Sequence, residues 1–324
     1  MINIFCVEEQ QKETGPMIHI CLTIDQNYAE YAEMCILSII QQRNLANKDD
    51  AYTFYILGNH VSTESLKGFK IFETLKNVTI FAANFHDILE DRINIKLKSC
   101  PHLTNTCWLR YFIPELDWFY DLPKVLYLDA DISAHADVKC LWDEDMHDQP
   151  IAAVKDFGKL NVFGSPRSIE NPDYSNYKSI NTGVMLLDPK KLRQINFTQT
   201  CIDRTHRNPT DDQGIINEFM GDSIQFLNPC YNFSYHYYLL HRTTAYGDIN
   251  RWNKTYGTCY KDMNELILCS VLWHFHGNKE YQKKDPRLGT MYKDWAFNLE
   301  QFKHFAGSHI LFNALDENIG DRRE

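Results

Sequence analysis

Two aspartates separated by one small residue follow a short apolar run in the segment KVLYLDADIS, residues 124–133. In an extended chain, residues two apart point to the same side, so Asp129 and Asp131 can face one site across Ala130. Neighbouring carboxylates repel each other unless a cation neutralises them, and a divalent metal that also binds phosphate oxygens would do so. Aspartate is also common where strands end, so a simple turn is the competing interpretation. The apolar run in front of the pair favours a metal site.

The segment WHFHG, residues 273–277, offers a third metal ligand. His274 lies in an apolar run, and an imidazole suits Mn²⁺ better than Mg²⁺, which prefers oxygen ligands and retains waters. Gly277 would let the backbone approach a phosphate closely, and Lys279 would supply a positive charge. These residue types predict a site in which Mn²⁺, with Mg²⁺ as the second choice, holds a phosphate-bearing ligand against the aspartate pair.

The aspartate pair needs a rigid element behind it, and the hydrophobic pattern predicts a sheet. Short apolar runs suited to buried strands occupy residues 18–24, 52–57, 78–81, 124–128, 151–154, 183–187 and 224–227. Helical patterns begin at Tyr28 and cover residues 62–75, 105–112 and 210–219. Strands that alternate with helices predict an α/β fold, in which ligands bind outside the carboxyl ends of the strands.

Composition and charge narrow the classes of function. With 44% hydrophobic residues, the 324-residue chain can bury a sizeable core, so a folded domain is expected. A net charge of −10 argues against nucleic-acid partners and against docking on anionic lipid. Ten cysteines without a C-x-x-C pair predict no zinc ribbon or redox motif. Without a signal sequence or an apolar run of about 20 residues, the protein is expected to be cytoplasmic and to have no transmembrane segment.

Seven short motifs occur in an order that is found in one enzyme family. They are TIDQNYAEY, CWLRYF, VLYLDADI, INTGVMLL, DDQGIIN, PCYNF and HFHGNK, and they extend from residue 23 to residue 279. On these motifs the chain resembles the family 8 retaining glycosyltransferases, which include bacterial lipopolysaccharide galactosyl- and glucosyltransferases and glycogenin. The resemblance implies a GT-A fold, with a Rossmann-like nucleotide-binding half and a mixed central sheet.

The resemblance also implies a division of the chain. Residues 17–285 would form the catalytic domain, preceded by a polar extension at 1–16. Residues 286–324 would form a C-terminal helical segment that packs on the domain. The large apolar residues that recur there at helical spacing are Tyr292, Trp295, Leu299 and Phe302. Such a stripe favours core packing over a cofactor contact.

The same resemblance implies roles for individual residues. Those implied at the uridine of the donor are Thr23, Asp25, Asn27 and Tyr28, with Tyr28 stacking on the base. Those implied at the diphosphate are Arg110, Gly277, Lys279 and the Mn²⁺ ligands Asp129, Asp131 and His274, with Ala130 between the carboxylates. Those implied at the sugar are Asp156, Asn181, Thr182 and Gly183. Those implied as catalytic residues beside the anomeric carbon are Asp212 and Gln213.

The implied reaction moves a hexose from UDP-galactose or UDP-glucose to an acceptor glycan, with retention of configuration. As the bond to phosphate breaks, negative charge grows on UDP and positive charge grows on the sugar ring. The metal and Lys279 would stabilise the first charge, and Asp212 and Gln213 would stabilise the second. Because glutamine is a poor nucleophile, front-side attack on a short-lived ion pair is favoured over a double displacement.

Two other interpretations of the sequence stay open. The chain could be a glycogenin-like protein that glucosylates one of its own 18 tyrosines, or a nucleotide-sugar-binding protein without turnover. The sequence also departs from the family pattern at two places. The family's G-x-x-K-P-W is replaced by Gly277-Asn278-Lys279-Glu280-Tyr281, so the implied lysine is defined only to within one position. The chain also ends without a basic, aromatic tail, which argues against membrane contact and against the membrane-bound acceptors of lipopolysaccharide biosynthesis.

Overall fold

The structure is a computed structural model that describes residues 17–46, 50–95, 104–156, 178–209, 211–235, 238–239, 247–277 and 279–320. The predicted polar extension at 1–16 lies outside these described residues.

The strands build one large mixed sheet and one small antiparallel pair. They are β1 Met17–Asp25, β2 Ala51–Asn59, β3 Val78–Asn84, β4 Val125–Leu128, β5 Ile132–Ala134, β6 Ile151–Lys155, β7 Ile180–Leu187, β8 Ile224–Phe226 and β9 Leu272–His274. The large sheet has the order β3-β2-β1-β4-β7-β6-β8. Strands β1 to β4 run parallel, whereas β7 runs antiparallel to both β4 and β6. The predicted α/β fold with a mixed sheet is confirmed, and every predicted strand overlaps an observed one, although β3 ends three residues later and β7 begins three residues earlier than predicted.

The described helices cover the sheet and its ends. They are α1 Ala29–Ala46, α2 Thr63–Gly68, α3 His86–Arg92, α4 Lys139–Trp142, α5 Pro189–Gln194, α6 Phe197–Arg207, α7 Asp212–Met220, α8 Ile249–Tyr256, α9 Met263–Cys269, α10 Lys279–Lys284 and α11 Pro286–Gly320. The predicted helix at 62–75 becomes 3₁₀ in its second half, Phe69–Thr74. The predicted helix at 105–112 is a 3₁₀ helix, Asn105–Glu115, which contains Pro114. Proline removes an amide donor, so a regular α-helix cannot continue through that position.

The sheet is buried on both faces because alternate residues of each strand enter different core layers. Ile20 and Leu22 of β1 pack in one hydrophobic cluster with α1, and Cys21 between them packs in the other with Trp108. Such two-sided burial is typical of the parallel part of an α/β sheet and explains why β1 is a nearly continuous apolar run.

Helix α11 packs along α1 and the 3₁₀ helix Phe69–Thr74. Lys303 donates to Glu33 Oε2 at 2.6 Å, and the rings of Phe72 and Phe302 stack with centroids 5.1 Å apart. Tyr292 and Leu299 are buried, and Trp295 and Phe302 pack against the same cluster, so the prediction that the stripe is core is confirmed. Among the described helices, α11 included, none combines the length and the apolar character that a bilayer crossing needs.

Candidate active site

The reversed strand β7 brings three predicted sugar-site residues to the carboxyl end of β4. Leu128 pairs with Val184, and Asp129 N–H donates to Gly183 O at 2.8 Å, which extends the ladder by one residue. Because β7 is antiparallel to β4, the first residues of β7 lie beside the last residues of β4. Asn181, Thr182 and Gly183 are therefore next to the aspartate pair.

A second, short strand pairing brings His274 to the same place. Strand β9 pairs with β5 so that Ile132 lies opposite His274, and Phe275 N–H donates to Asp131 O at 3.0 Å. The small sheet joins two segments about 140 residues apart in the sequence. It fixes the imidazole beside the carboxylates.

Asp129, Asp131 and His274 form a group of possible metal ligands, as the sequence predicts. One ligand atom from each lies within 4.8 Å of the others. His274 Nε2 is 3.6 Å from Asp129 Oδ2 and 3.2 Å from Asp131 Oδ1. Two carboxylates and one imidazole are a common donor set for a divalent cation such as Mn²⁺.

Gly183 leaves the space that this ligand group requires. A Cβ at this position would lie 2.2 Å from His274 Cε1 and 2.7 Å from Asp129 Oδ2. Any other residue would therefore displace two of the three ligands, so the residues present fit a bound cation. The predicted proximity of Gly183 to the site has a definite steric reason.

Lys279 adds a positive charge at the edge of the group. Its Nζ donates to Asp131 Oδ2 and to Phe275 O, both at 2.5 Å. Burial alone would raise the pKa of Asp131, but the Lys279 ammonium and the His274 imidazole outweigh it and hold that pKa well below its ordinary value. Gly277 precedes this lysine with a φ of 102°, a conformation that favours glycine.

Arg110 lies behind the carboxylates and connects them. Its Nη2 donates to Asp129 Oδ1 at 2.9 Å, and its Nη1 lies 2.9 Å from Asp212 Oδ2. The same Nη1 donates to Thr182 O, and Nε donates to Cys107 O. The guanidinium is thus engaged by protein groups on several sides, and it positions the carboxylates in addition to the donor-facing role implied by its motif.

The predicted sugar-site and catalytic residues are joined by hydrogen bonds. Gln213 Nε2 donates to Asp156 Oδ2 at 2.8 Å, and Thr182 N–H donates to Gln213 Oε1 at 3.2 Å. Thr182 Oγ1 donates to Asp212 Oδ2 at 3.1 Å. Burial raises the pKa of Asp212, Arg110 partly offsets that rise, and Asp129 adds to it. The structure therefore brings together the residues predicted at the sugar.

The residues predicted at the uridine lie at the end of β1. Asp25 Oδ1 accepts from Asn27 N–H at 2.9 Å and Asp25 Oδ2 accepts from Thr104 Oγ1 at 2.9 Å. Burial raises the pKa of Tyr28, and the negative charges of Asp131, Asp129 and Asp25 raise it further. Thr23 is buried, and its hydroxyl lies 2.9 Å from the hydroxyl of Tyr127. Thr23 thus supports the site through Tyr127.

Two residues of the site were not predicted from the sequence. Tyr127 donates to Asp129 Oδ1 at 2.8 Å, and its ring lies 4.4 Å from the guanidinium carbon of Arg110. Its position two residues before Asp129 puts both on one side of the strand, which is a usable signal. Asn232 contacts His274 Nδ1 at 3.0 Å, and its place in the motif PCYNF is the sequence feature that could have identified it.

The site lies within a region that matches a known family. The sequence model described as "Glycosyl transferase family 8" matches residues 19–279. The chain belongs to glycosyl transferase family 8. It is therefore a glycosyltransferase, and the family predicted from the seven motifs is confirmed.

Several curated proteins have sequences similar to parts of this chain. General stress protein A of Bacillus subtilis is 23% identical over 224 residues, which are 67% of this chain and 73% of that protein. The lipopolysaccharide 1,3-galactosyltransferase of Salmonella typhimurium is 25% identical over 243 residues, which are 71% of this chain and 68% of that protein. The glycosyltransferase GlyE of Streptococcus pneumoniae is 31% identical over 141 residues, and the match spans only 30% of its length.

The fold is similar to that of solved glycosyltransferase structures. The galactosyltransferase LgtC, crystallised with donor and acceptor sugar analogues, has a TM-score of 0.63 at 21% identity, with 90% of this chain and 96% of that chain covered. GlyE of Streptococcus pneumoniae has a TM-score of 0.59 at 18% identity, with 91% of this chain and 64% of that chain covered. The predicted GT-A fold is confirmed.

Proposed function

We propose that this family 8 glycosyltransferase transfers galactose or glucose from a UDP-sugar to a glycan or glycoconjugate acceptor, with Mn²⁺ and with retention of configuration. The observation that carries the proposal is the convergence of Asp129, Asp131 and His274 within 4.8 Å of one another at the carboxyl ends of β1 and β4. In an open α/β sheet this rim is where ligands bind. A relative and a solved structure that resemble the chain are described as galactosyltransferases, which favours a hexose donor.

The residues around the ligand group suit the parts of a UDP-sugar. Asp25 and Tyr28 at the end of β1 offer a carboxylate and an aromatic face to the nucleoside. Lys279 Nζ lies 5.8 Å from the centre of the Tyr28 ring, so a cationic group is available between the base and the aspartates, where a diphosphate would lie. Asp156 and Gln213 on the other side offer hydrogen-bond partners to sugar hydroxyls. This order matches the order of uridine, diphosphate and hexose in the donor.

The proposed reaction exchanges one bond at the anomeric carbon. The bond from that carbon to the terminal phosphate oxygen of UDP breaks, the acceptor hydroxyl oxygen bonds to the carbon, and the hydroxyl proton passes to the departing phosphate oxygen. A bound Mn²⁺ would neutralise the charge that develops on the diphosphate. Lys279 would contribute to the same end, and the Gln213 amide would face the positive charge of the ring.

The surroundings of Asp212 support attack from the donor's own face. Asp212 is 5% exposed, and its carboxylate is held by Arg110 and Thr182, so it is poorly placed to bond to the anomeric carbon. Gln213 is an amide and a weak nucleophile. A double displacement needs a free carboxylate beside that carbon, whereas front-side attack needs only stabilisation of a short-lived ion pair.

The proposal is tested with a panel of nucleotide sugars. Purified protein is incubated with UDP-galactose, UDP-glucose, UDP-N-acetylglucosamine and GDP-mannose, each with Mn²⁺ or with EDTA, and nucleotide release is measured. We expect release from one of the two UDP-hexoses, in the presence of Mn²⁺ and not in EDTA. Calorimetric binding of UDP without release from any donor, with or without an acceptor panel, would identify a binding protein and contradict the proposal. A mass increase of the protein itself would identify self-glucosylation.

A further inference from the structure

Asn232 lies directly beside His274 because of a short parallel pairing. Phe233 N–H donates to Leu272 O at 3.0 Å, and His274 N–H donates to Phe233 O at 2.9 Å. Asn232 is 8% exposed, so its amide exchanges water for protein partners on folding. Asn232 begins an Asn-x-Ser triplet, Asn232-Phe233-Ser234. Its side chain is buried, however, and makes hydrogen bonds within the protein.

The hydrogen bonds of two asparagines fix which atom of Asn232 faces the imidazole. Gly183 N–H donates to Asn181 Oδ1 at 3.0 Å, and a backbone amide can only donate, so that atom of Asn181 is an oxygen. Asn232 donates to the same oxygen through Nδ2 at 2.9 Å. The other end of the Asn232 amide is therefore its oxygen, and this oxygen is 3.0 Å from His274 Nδ1.

The amide oxygen opposite Nδ1 determines that this ring nitrogen carries a hydrogen. Because Asn232 Oδ1 can only accept, His274 Nδ1 must carry the hydrogen. Nε2 is then the ring nitrogen left for a metal, and it is the atom directed at Asp129 Oδ2 and Asp131 Oδ1. A histidine that binds a metal generally donates its other ring N–H to a fixed acceptor, which sets the ring orientation.

We infer that Asn232 is a positioning residue that orients His274 for metal binding, and that Asn181 holds Asn232 in turn. This inference rests on the proposed Mn²⁺ site. The relay starts at the backbone of Gly183, whose own lack of a side chain makes room for the imidazole. The beginning of β7 thus provides both the space for His274 and, through two amides, its orientation.

The inference is tested by metal affinity and not by turnover. Binding of Mn²⁺ is measured by calorimetry in the presence of saturating UDP for the wild type, Asn232→Leu and Asn232→Asp. We expect Asn232→Leu to weaken Mn²⁺ binding about 10- to 100-fold, the usual effect of removing a partner that orients a metal ligand. Asn232→Asp keeps an acceptor for Nδ1–H but loses the hydrogen bond to Asn181. Its affinity for Mn²⁺ should therefore lie between that of the wild type and that of Asn232→Leu. Affinity for UDP in EDTA should be unchanged in both variants.

Asn228→Ala is the matched control. Asn228 lies four residues earlier in the same segment, and its Oδ1 accepts from Cys230 N–H and from Tyr260 OH without contacting His274. We expect this variant to lose a comparable amount of thermal stability and to bind Mn²⁺ like the wild type. Equal Mn²⁺ affinity in Asn232→Leu and the wild type would overturn the inference alone. Absence of Mn²⁺ binding in the wild type would overturn the proposed metal site as well.

Discussion

The Nη1 atom of Arg110 lies 2.9 Å from Asp212 Oδ2, and both side chains are almost fully buried. The same guanidinium donates to Asp129 through Nη2. The guanidinium of Arg110 therefore contacts both a proposed metal ligand, Asp129, and a residue at the proposed sugar site, Asp212. Burial lowers the pKa of Arg110, but Asp212, Tyr127 and Asp129 outweigh it and raise that pKa well above its ordinary value, so the charge is permanent.

Removal of the Arg110 guanidinium should destabilise the protein strongly. Arg110→Met keeps an apolar stem but leaves two carboxylates without their counter-charge, and loss of one partner of a buried pair costs about 3–5 kcal/mol. The free energy of unfolding is measured by urea titration. Lys178→Met is the control, because the pair of Lys178 with Asp222 is exposed and such pairs contribute about 0–1 kcal/mol. Similar losses in the two variants would contradict a central role for Arg110.

Asp131→Asn should abolish turnover without loss of the fold. The amide has the size of the carboxylate but lacks its charge, so the metal loses one anionic ligand and several kcal/mol of charge stabilisation. We expect nucleotide release to fall at least about 100-fold, and UDP to bind equally well with Mn²⁺ and with EDTA. The control is Asp87→Asn, which changes an exposed carboxylate outside the site. Turnover at the wild-type rate in Asp131→Asn would refute the metal assignment.

Gly183→Ala should disturb the ligand group by sterics alone. The added methyl group would come within 2.2 Å of His274 Cε1 and 2.7 Å of Asp129 Oδ2, and cores accept such overlaps only by shifts that cost about 1–3 kcal/mol. We expect Mn²⁺ binding in the presence of UDP to weaken at least about tenfold. At Gly68 the nearest atom to an added methyl group is 3.7 Å away, so Gly68→Ala should bind Mn²⁺ normally. Calorimetry on both variants decides the point.

Much of the fold was predictable because its longer strands are continuous apolar runs in the sequence. The apolar runs of β1 and β4 are buried on both faces, and such runs are visible without any knowledge of their partners. The pair β5 and β9 was not predicted, since each strand has only three residues and too few for periodicity to appear. Yet this pair brings His274 to the aspartates.

The site was predictable in its residue types and less so in its contacts. The spacing of Asp129 and Asp131 indicates a shared side, and the structure places them so. The inward position of Arg110 depends on a contact with Thr182, which is 72 residues away, and no local pattern encodes a contact at that distance. The same holds for Asn232, whose partner Asn181 is 51 residues away.

Lys279→Met should change two affinities in opposite directions. The ammonium of Lys279 contacts Asp131 Oδ2 at 2.5 Å, so it competes with a cation for that carboxylate. Its removal should strengthen binding of Mn²⁺ alone by about tenfold. Binding of UDP with Mn²⁺ should weaken by about tenfold, because the diphosphate loses a positive charge. Both constants are measured by calorimetry, and a loss in both would show that Lys279 only supports the fold.

Asp131 should make the stability of the metal-free protein depend on pH below about pH 4. Burial opposes its ionised form, but Lys279 and His274 outweigh burial and depress the pKa of the folded state. The unfolded carboxyl has a pKa of about 3.9, so the stabilisation is complete above that value and is lost as the pH falls toward the folded pKa. The free energy of unfolding of the wild type minus that of Asp131→Asn is measured in urea with EDTA from pH 5 downward. This difference should decrease on acidification to pH 3, because the unfolded carboxyl binds a proton that the folded one does not. A difference that grows on acidification would mean that Asp131 is protonated more readily in the folded protein, and that Lys279 does not hold its charge.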